Sequence, residues 1–188
     1  MVTGALAADG EGGFYVLGNK DGAALHHFDS GGRLTHSLGR LGVDNTSAKG
    51  WIGVGPAGSV YFRASRALDI QRFAKGGSPL SAIKPAVPYD AVGDPGDSIF
   101  TTKVLTDGRI VMEIAHRTPY RAVSGGLATS IQLKTYILSS TGKLLKTIGA
   151  KGLGQLGGVS RDRLYFVTVA RGLLSAGEGA RVHQLAIN

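Results

Sequence analysis

The chain has 188 residues, a formal net charge of +8 and no cysteine, which fits a single domain without disulfides or thiolate metal sites. A hydrophobic fraction of 43% and a charged fraction of 18% exclude a disordered chain. No apolar stretch reaches the ~20 residues that a membrane-spanning helix needs.

Glycine contributes 30 residues, about twice its usual share of ~7%, which indicates many tight turns between short strands. A polar turn followed by a β-branched and aromatic run occurs four times along the chain. Aligned on Tyr15, Tyr61, Val111 and Tyr165, the copies recur every 46 to 54 residues. Each copy predicts a hairpin and its second strand.

A second repeated pattern, a glycine turn between two further strands, follows at residues 28–34, 73–77 and 138–144. Glycine supplies the positive φ that such tight hairpins require. One unit is therefore four strands in ~45–50 residues, which is the size of a β-propeller blade. We predict an all-β protein built from four-stranded antiparallel blades. A sandwich or barrel of the same strands is the alternative, but it would not explain the regular recurrence of the turns.

The repeats divide one domain, residues 1–188, into blades at about 1–41, 50–86, 98–149 and 156–188. The fourth blade lacks its outer strand, because the chain ends just after the third. An open strand edge is a template for pairing with another chain. We therefore expect self-association that completes a ring or joins edges, unless the chain is part of a larger propeller.

The first blade carries the pattern A-x-D-x-x-G-x-x-Y-V at residues 7–16, and then F-D-x-x-G-R-L at residues 28–34. This pattern resembles the NHL-type repeat of six-bladed bacterial propellers, and it weakens along the chain. The resemblance implies a propeller without specifying an activity. Some NHL propellers bind RNA through a basic face, and similar propeller lactonases hold a metal near the central channel.

The loop between the second and third strands of a blade is predicted to lengthen in the third blade, at residues 115–126, and in the fourth, at residues 171–179. Loops that vary on a rigid scaffold are the usual place for binding residues. Residues 95–188 also carry a net charge of +7, against +1 for residues 1–94. The predicted ligand- or partner-binding residues are His116, Arg117, Tyr120, Arg121, Lys151, Arg171 and Trp51. Trp51 either contacts a ligand near the channel or packs between blades.

The sequence offers little support for catalysis or for a bound metal. Glu113 and His116 have a metal-ligand spacing, but positions three apart on a strand point to opposite faces. Asp94 and Asp97 are too few for a convincing calcium site. Residues 152–157 match G-x-G-x-x-G, but no helix follows to hold a dinucleotide. We therefore expect no catalytic residues, no metal and no cofactor.

These observations predict a non-catalytic binding or scaffold module that holds a ligand, or a protein or peptide partner, on its loop-rich face. The alternatives are a metal-dependent, lactonase-like hydrolase and a basic RNA-binding propeller. We expect a soluble protein, because the given sequence contains no membrane span. It also contains no signal peptide, and the compartment stays unassigned. The protein would be periplasmic or secreted if an N-terminal part is missing.

Overall fold

The computed structural model of the chain describes residues 5–18, 24–41, 50–93, 96–149, 153–160, 163–168 and 181–187. These residues form fifteen strands in four antiparallel sheets. Sheet I contains β1 (Leu6–Ala8), β2 (Phe14–Gly18), β3 (Ala24–Phe28) and β4 (Leu34–Arg40). Sheet II contains β5 (Gly50–Val54), β6 (Val60–Ala64), β7 (Ile70–Phe73) and β8 (Pro79–Ile83).

Sheet III contains β9 (Ser98–Val104), β10 (Ile110–Arg121), β11 (Leu127–Leu138) and β12 (Leu144–Gly149). Sheet IV contains β13 (Gln155–Ser160), β14 (Arg163–Thr168) and β15 (Arg181–Ala186). A short 3-10 turn at Pro56–Gly58 joins β5 to β6. Within the described ranges, we find no helix with the length and hydrophobicity needed to cross a bilayer.

Each sheet is built from consecutive strands that pair in chain order, so strands of successive repeats do not mix. The first strands of the sheets approach one another, with β1 against β5 and β5 against β9. First strands that meet along one side are expected of blades arranged around a common axis. The prediction of an all-β, propeller-type fold is confirmed.

Three apolar clusters hold the sheets together, one between each successive pair. The alternation of side chains along a strand explains how a middle sheet serves two clusters. In β6, Val60 and Phe62 pack toward sheet I, whereas Tyr61 packs toward sheet III. All three are at most 4% exposed, and each such burial stabilises the fold by roughly 1.5–3 kcal/mol.

The recurring turns of the sequence have a local physical cause. In the turn before β4, the carboxylate of Asp29 accepts hydrogen bonds from the backbone N–H groups two and four residues later, both at 3.0 Å. In the turn before β12, the hydroxyl of Ser139 does the same at 3.2 and 3.1 Å. Gly32 and Gly142 take φ values of +78° and +90° in these turns. Other residues rarely adopt such values without strain.

The predicted loop at residues 115–126 is wrong for most of its length. β10 continues to Arg121 and pairs residue by residue with β11, and the connection shrinks to residues 122–126. β10 pairs with β9 only as far as Ala115, so residues 116–121 and their partners on β11 extend beyond the sheet as a two-stranded hairpin. At ~3.3 Å per residue, this extension is about 20 Å long. We call residues 116–132 the projecting hairpin. The second predicted loop, residues 171–179, lies outside the described residues.

Candidate functional site

Two adjoining cavities lie between sheets II and III, on the side where the projecting hairpin begins. The first chamber has a volume of about 480 Å³, and its polar lining includes Arg66, Tyr89, Asp97 and Arg117. The second chamber has a volume of about 290 Å³. Both chambers are lined by Ser65 and Ile99. We therefore treat them as one groove.

Strands of sheet III place a chain of hydrogen-bonded side chains beside the first chamber. The hydroxyl of Tyr136 on β11 lies 2.6 Å from Nε2 of His116 on β10. Nδ1 of His116 lies 2.9 Å from Oδ2 of Asp97, just before β9. With a neutral ring, Nδ1–H donates to Asp97 and Nε2 accepts from Tyr136. These hydrogen bonds thereby connect β9, β10 and β11 at the base of the projecting hairpin.

The carboxylate of Asp97 is fully engaged inside the protein. Its Oδ1 accepts the backbone N–H of Arg117 at 3.1 Å, and its Oδ2 accepts that of Asp90 at 3.1 Å. Burial by itself raises the pKa of Asp97, but the hydrogen bonds from these N–H groups and from His116 outweigh burial and lower it. Burial also raises the pKa of Tyr136, with a further contribution from the charge of Asp97. Asp97 is therefore an ionised structural anchor.

The second chamber contains a buried arginine that the sequence analysis missed. Arg63 is only 4% exposed and lines the chamber with Trp51, Phe100 and Thr102. Its Nε donates to the hydroxyl of Thr102 at 3.2 Å. Its Nη1 donates to the backbone carbonyl groups of residues 64, 65 and 67, at 2.9, 3.1 and 3.2 Å. Burial lowers the pKa of Arg63.

A sequence signal for Arg63 does exist in the alternation of β6. Arg63 follows Tyr61 by two positions, so the two side chains point to the same face of sheet II. Tyr61 belongs to the apolar cluster against sheet III. This alternation therefore places Arg63 between sheets II and III, where a charged side chain is unusual.

Three of the predicted binding residues lie at the groove. Arg117 lines the first chamber, His116 holds its wall through Asp97, and Trp51 lines the second chamber. Trp51 also packs against the cluster between sheets II and III. The interpretation of Trp51 as a residue that packs between blades therefore agrees with the structure, whereas its contact with a ligand stays a prediction.

The other predicted residues are not at the groove. Tyr120 and Arg121 are exposed on the projecting hairpin, where Tyr120 is half exposed, and neither lines a chamber. Lys151 and Arg171 lie outside the described residues, so their placement stays a prediction.

The spacing of Glu113 and His116 does not produce a shared metal site. Glu113 is fully buried, and its Oε1 accepts the backbone N–H of Leu156 from sheet IV at 2.8 Å. His116 instead bonds to Asp97 and Tyr136 beside the groove. In the ranges that the structure describes, no three His, Asp or Glu side chains come together in a way that could hold a metal.

No protein-family model matches the chain, and no curated protein matches it in sequence. The NHL-type resemblance of the first blade therefore stays a prediction. Among solved structures, the chain is similar to one titled "Streptogramin B lyase structure". That similarity covers 96% of this chain and 67% of the other, with 12% sequence identity and a TM-score of 0.46.

Proposed function

We propose that the protein is a non-catalytic binding module whose groove between sheets II and III holds a negatively charged ligand or partner segment. The observation that carries the proposal is the charge of the groove. Three arginines line it, Arg63, Arg66 and Arg117, against a single acidic side chain among the described lining residues, Asp97. Asp97 forms no ion pair with these arginines in the described residues, and its one negative charge against their three positive charges leaves the groove positively charged.

Guanidinium groups suit this role because their planar N–H donors match carboxylate and phosphate oxygens. The combined size of the chambers is in the range of small-ligand sites. The proposal that the module is non-catalytic rests on the hydrogen-bonded side chains of Tyr136, His116 and Asp97. Tyr136 is only 2% exposed, so its hydroxyl faces the protein interior and not a substrate.

A ligand screen by thermal unfolding tests this function. Compounds that carry negative charge should raise the Tm, because a ligand that binds only the folded state stabilises it by mass action. The increase should shrink in an Arg66→Gln/Arg117→Gln double variant. It should persist in Arg33→Gln, which removes an exposed arginine in the turn before β4 that lines neither chamber. Hits without a preference for acids, or hits indifferent to the double variant, would contradict the proposal.

A second candidate function, binding of a protein partner, is favoured by the projecting hairpin. Val123 and Leu127 at its tip are almost completely exposed, and Ile131 is 59% exposed. Apolar side chains gathered at an exposed site often mark protein contacts. If a second copy of the chain is that partner, the mass measured by light scattering should fall toward the monomer in a Val123→Ser/Leu127→Ser variant. An unchanged mass would exclude the hairpin as the self-association surface.

The metal-dependent hydrolase and the RNA-binding propeller remain alternatives. No specific observation in the described residues favours either of them over an anion-binding groove. Salt-dependent retention on heparin that is lost in an Arg117→Ala/Arg121→Ala variant would favour RNA. The single Arg121→Ala variant separates the two functions, because Arg121 lies on the projecting hairpin and, unlike Arg117, lines neither chamber.

A further inference from the structure

We propose that the second chamber binds a small monocarboxylate with an apolar body, and that Nη2 of Arg63 receives the carboxylate. This inference rests on the proposed function, because it names a ligand class for part of the same groove. It is carried by three observations: a buried cation without a counter-ion, an open donor on that cation, and apolar walls around it.

The first observation is the missing counter-ion. Arg63 is nearly completely buried, yet its hydrogen bonds go to a threonine hydroxyl and to backbone carbonyl groups, all of them neutral. None of the ion pairs found among the described residues includes Arg63. A buried charge is costly unless an opposite charge accompanies it. The lowering of its pKa by burial is a sign of the same cost.

The second observation is the open donor. Nε and Nη1 are used, but no described residue accepts a hydrogen bond from Nη2. Nη2 is also not among the fully enclosed side-chain atoms that lack a partner. It therefore keeps access to space outside the protein, and the proposal places Nη2 at the surface of the chamber that Arg63 lines. A ligand oxygen placed there would complete the hydrogen bonds of the guanidinium.

The third observation is the lining, which selects the class of anion. Trp51, Ile99 and Phe100 supply apolar surface, and Ser65 and Thr101 also line the chamber. A volume of about 290 Å³ corresponds to roughly ten water molecules at ~30 Å³ each. Arg63 is the one charged side chain among the described residues that line this chamber, and one cation balances one negative charge. A monocarboxylate with an apolar body fits each of these features.

The experiment uses Trp51 as a built-in reporter, because it is the single tryptophan of the sequence and lines the chamber. The full chain is titrated with benzoate and, separately, with benzamide, its uncharged counterpart of similar shape. We expect a saturable change in tryptophan emission with benzoate and none with benzamide. Benzamide also corrects for absorption by the aromatic ring.

Arg63→Gln removes the charge at the chamber, and Arg66→Gln is the matched control in the first chamber. The loss of a charge-assisted hydrogen bond should raise the Kd for benzoate roughly tenfold or more in Arg63→Gln. Arg66→Gln should leave it within about threefold of the wild type, because Arg66 does not line the second chamber. An equal response to benzamide, or an unchanged Kd in Arg63→Gln, would overturn the inference.

If Arg63→Gln does not fold, thermal unfolding of the wild-type protein still tests the inference. Benzoate must then raise the Tm in a dose-dependent way, while benzamide and inorganic phosphate must not. Failure of benzoate, alongside acidic ligands that still depend on Arg66 and Arg117, overturns this inference and leaves the proposed function standing. Failure of every acidic ligand overturns both.

Discussion

The buried carboxyl of Glu113 lowers the free energy of unfolding, and Glu113→Gln should remove part of this destabilisation. Oε1 accepts the N–H of Leu156, but no described residue bonds to Oε2. The hydroxyl of Thr135, the register partner of Glu113, also lacks a partner. Side chains of register partners lie side by side, so a glutamine would keep the first bond and offer its amide N–H to Thr135.

The magnitude follows from the unpaired atoms. A buried polar atom without a partner costs about 1–3 kcal/mol, and we expect Glu113→Gln to recover about that much at pH 8. For a chain of this size, each kcal/mol shifts the Tm by about 2–4 °C, so the Tm should rise by roughly 2–12 °C.

The stability gained by Glu113→Gln should depend on pH, because burial raises the pKa of Glu113 in the folded protein. The folded state then binds more protons than the unfolded state, so stability falls as pH rises from the unfolded pKa of ~4.3 toward the folded value. Glutamine does not titrate. The advantage of the variant should therefore be small below pH 4 and largest above the folded pKa.

Urea unfolding of the wild type and the variant at pH 4 and pH 8 measures this difference. Asp69→Asn, which alters an exposed carboxylate outside the ion pairs of the described residues, serves as the control and should stay within about 0.5 kcal/mol. A variant that is no more stable at pH 8, or whose advantage is the same at both pH values, would refute the reasoning.

Three further predictions concern the hydrogen-bond chain, a turn and the open edges. Tyr136→Phe removes the bond to His116 and should cost about 1 kcal/mol in urea unfolding; an unchanged midpoint would show that the bond adds no net stability. Gly142→Ala brings a Cβ within 2.7 Å of a backbone carbonyl in a left-handed conformation and should cost more than about 1 kcal/mol. Gly76→Ala, where a Cβ meets open space, is its neutral control. The outer strands β4, β8 and β12 have one paired edge each, so the mass from light scattering should rise with concentration; a constant monomer mass would contradict this.

The sequence predicted those features that local chemistry controls. The turns at Asp29 and Ser139 depend on side-chain bonds to backbone N–H groups a few residues away, so they are visible as short motifs. The projecting hairpin was not predicted, because a two-stranded ribbon with solvent on both faces needs no apolar alternation. Pro119 and the glycines near 125 resemble a loop, and cross-strand backbone pairing alone makes them a hairpin.

The groove was predicted only in part, since it arises from residues far apart in the chain. Asp97 and His116 are 19 positions apart, and His116 and Tyr136 are 20 apart. Pairing of β9, β10 and β11 brings them together, and this pairing is not encoded in a short motif. The burial of Arg63 is not predicted from the sequence, because an arginine on a strand usually faces water. Its burial depends on sheet III, through Thr102, 39 positions away.

The arrangement of the three apolar clusters has a consequence for how the molecule loses structure. Each cluster joins neighbouring sheets, and none in the described residues links sheet IV back to sheet I. Such nearest-neighbour stacks tend to fray from their ends, where a unit has one supporting interface instead of two. Amide protons of β14 should therefore exchange with deuterium sooner than those of β6. The groove, enclosed by the two inner sheets, would outlast the opening of either end.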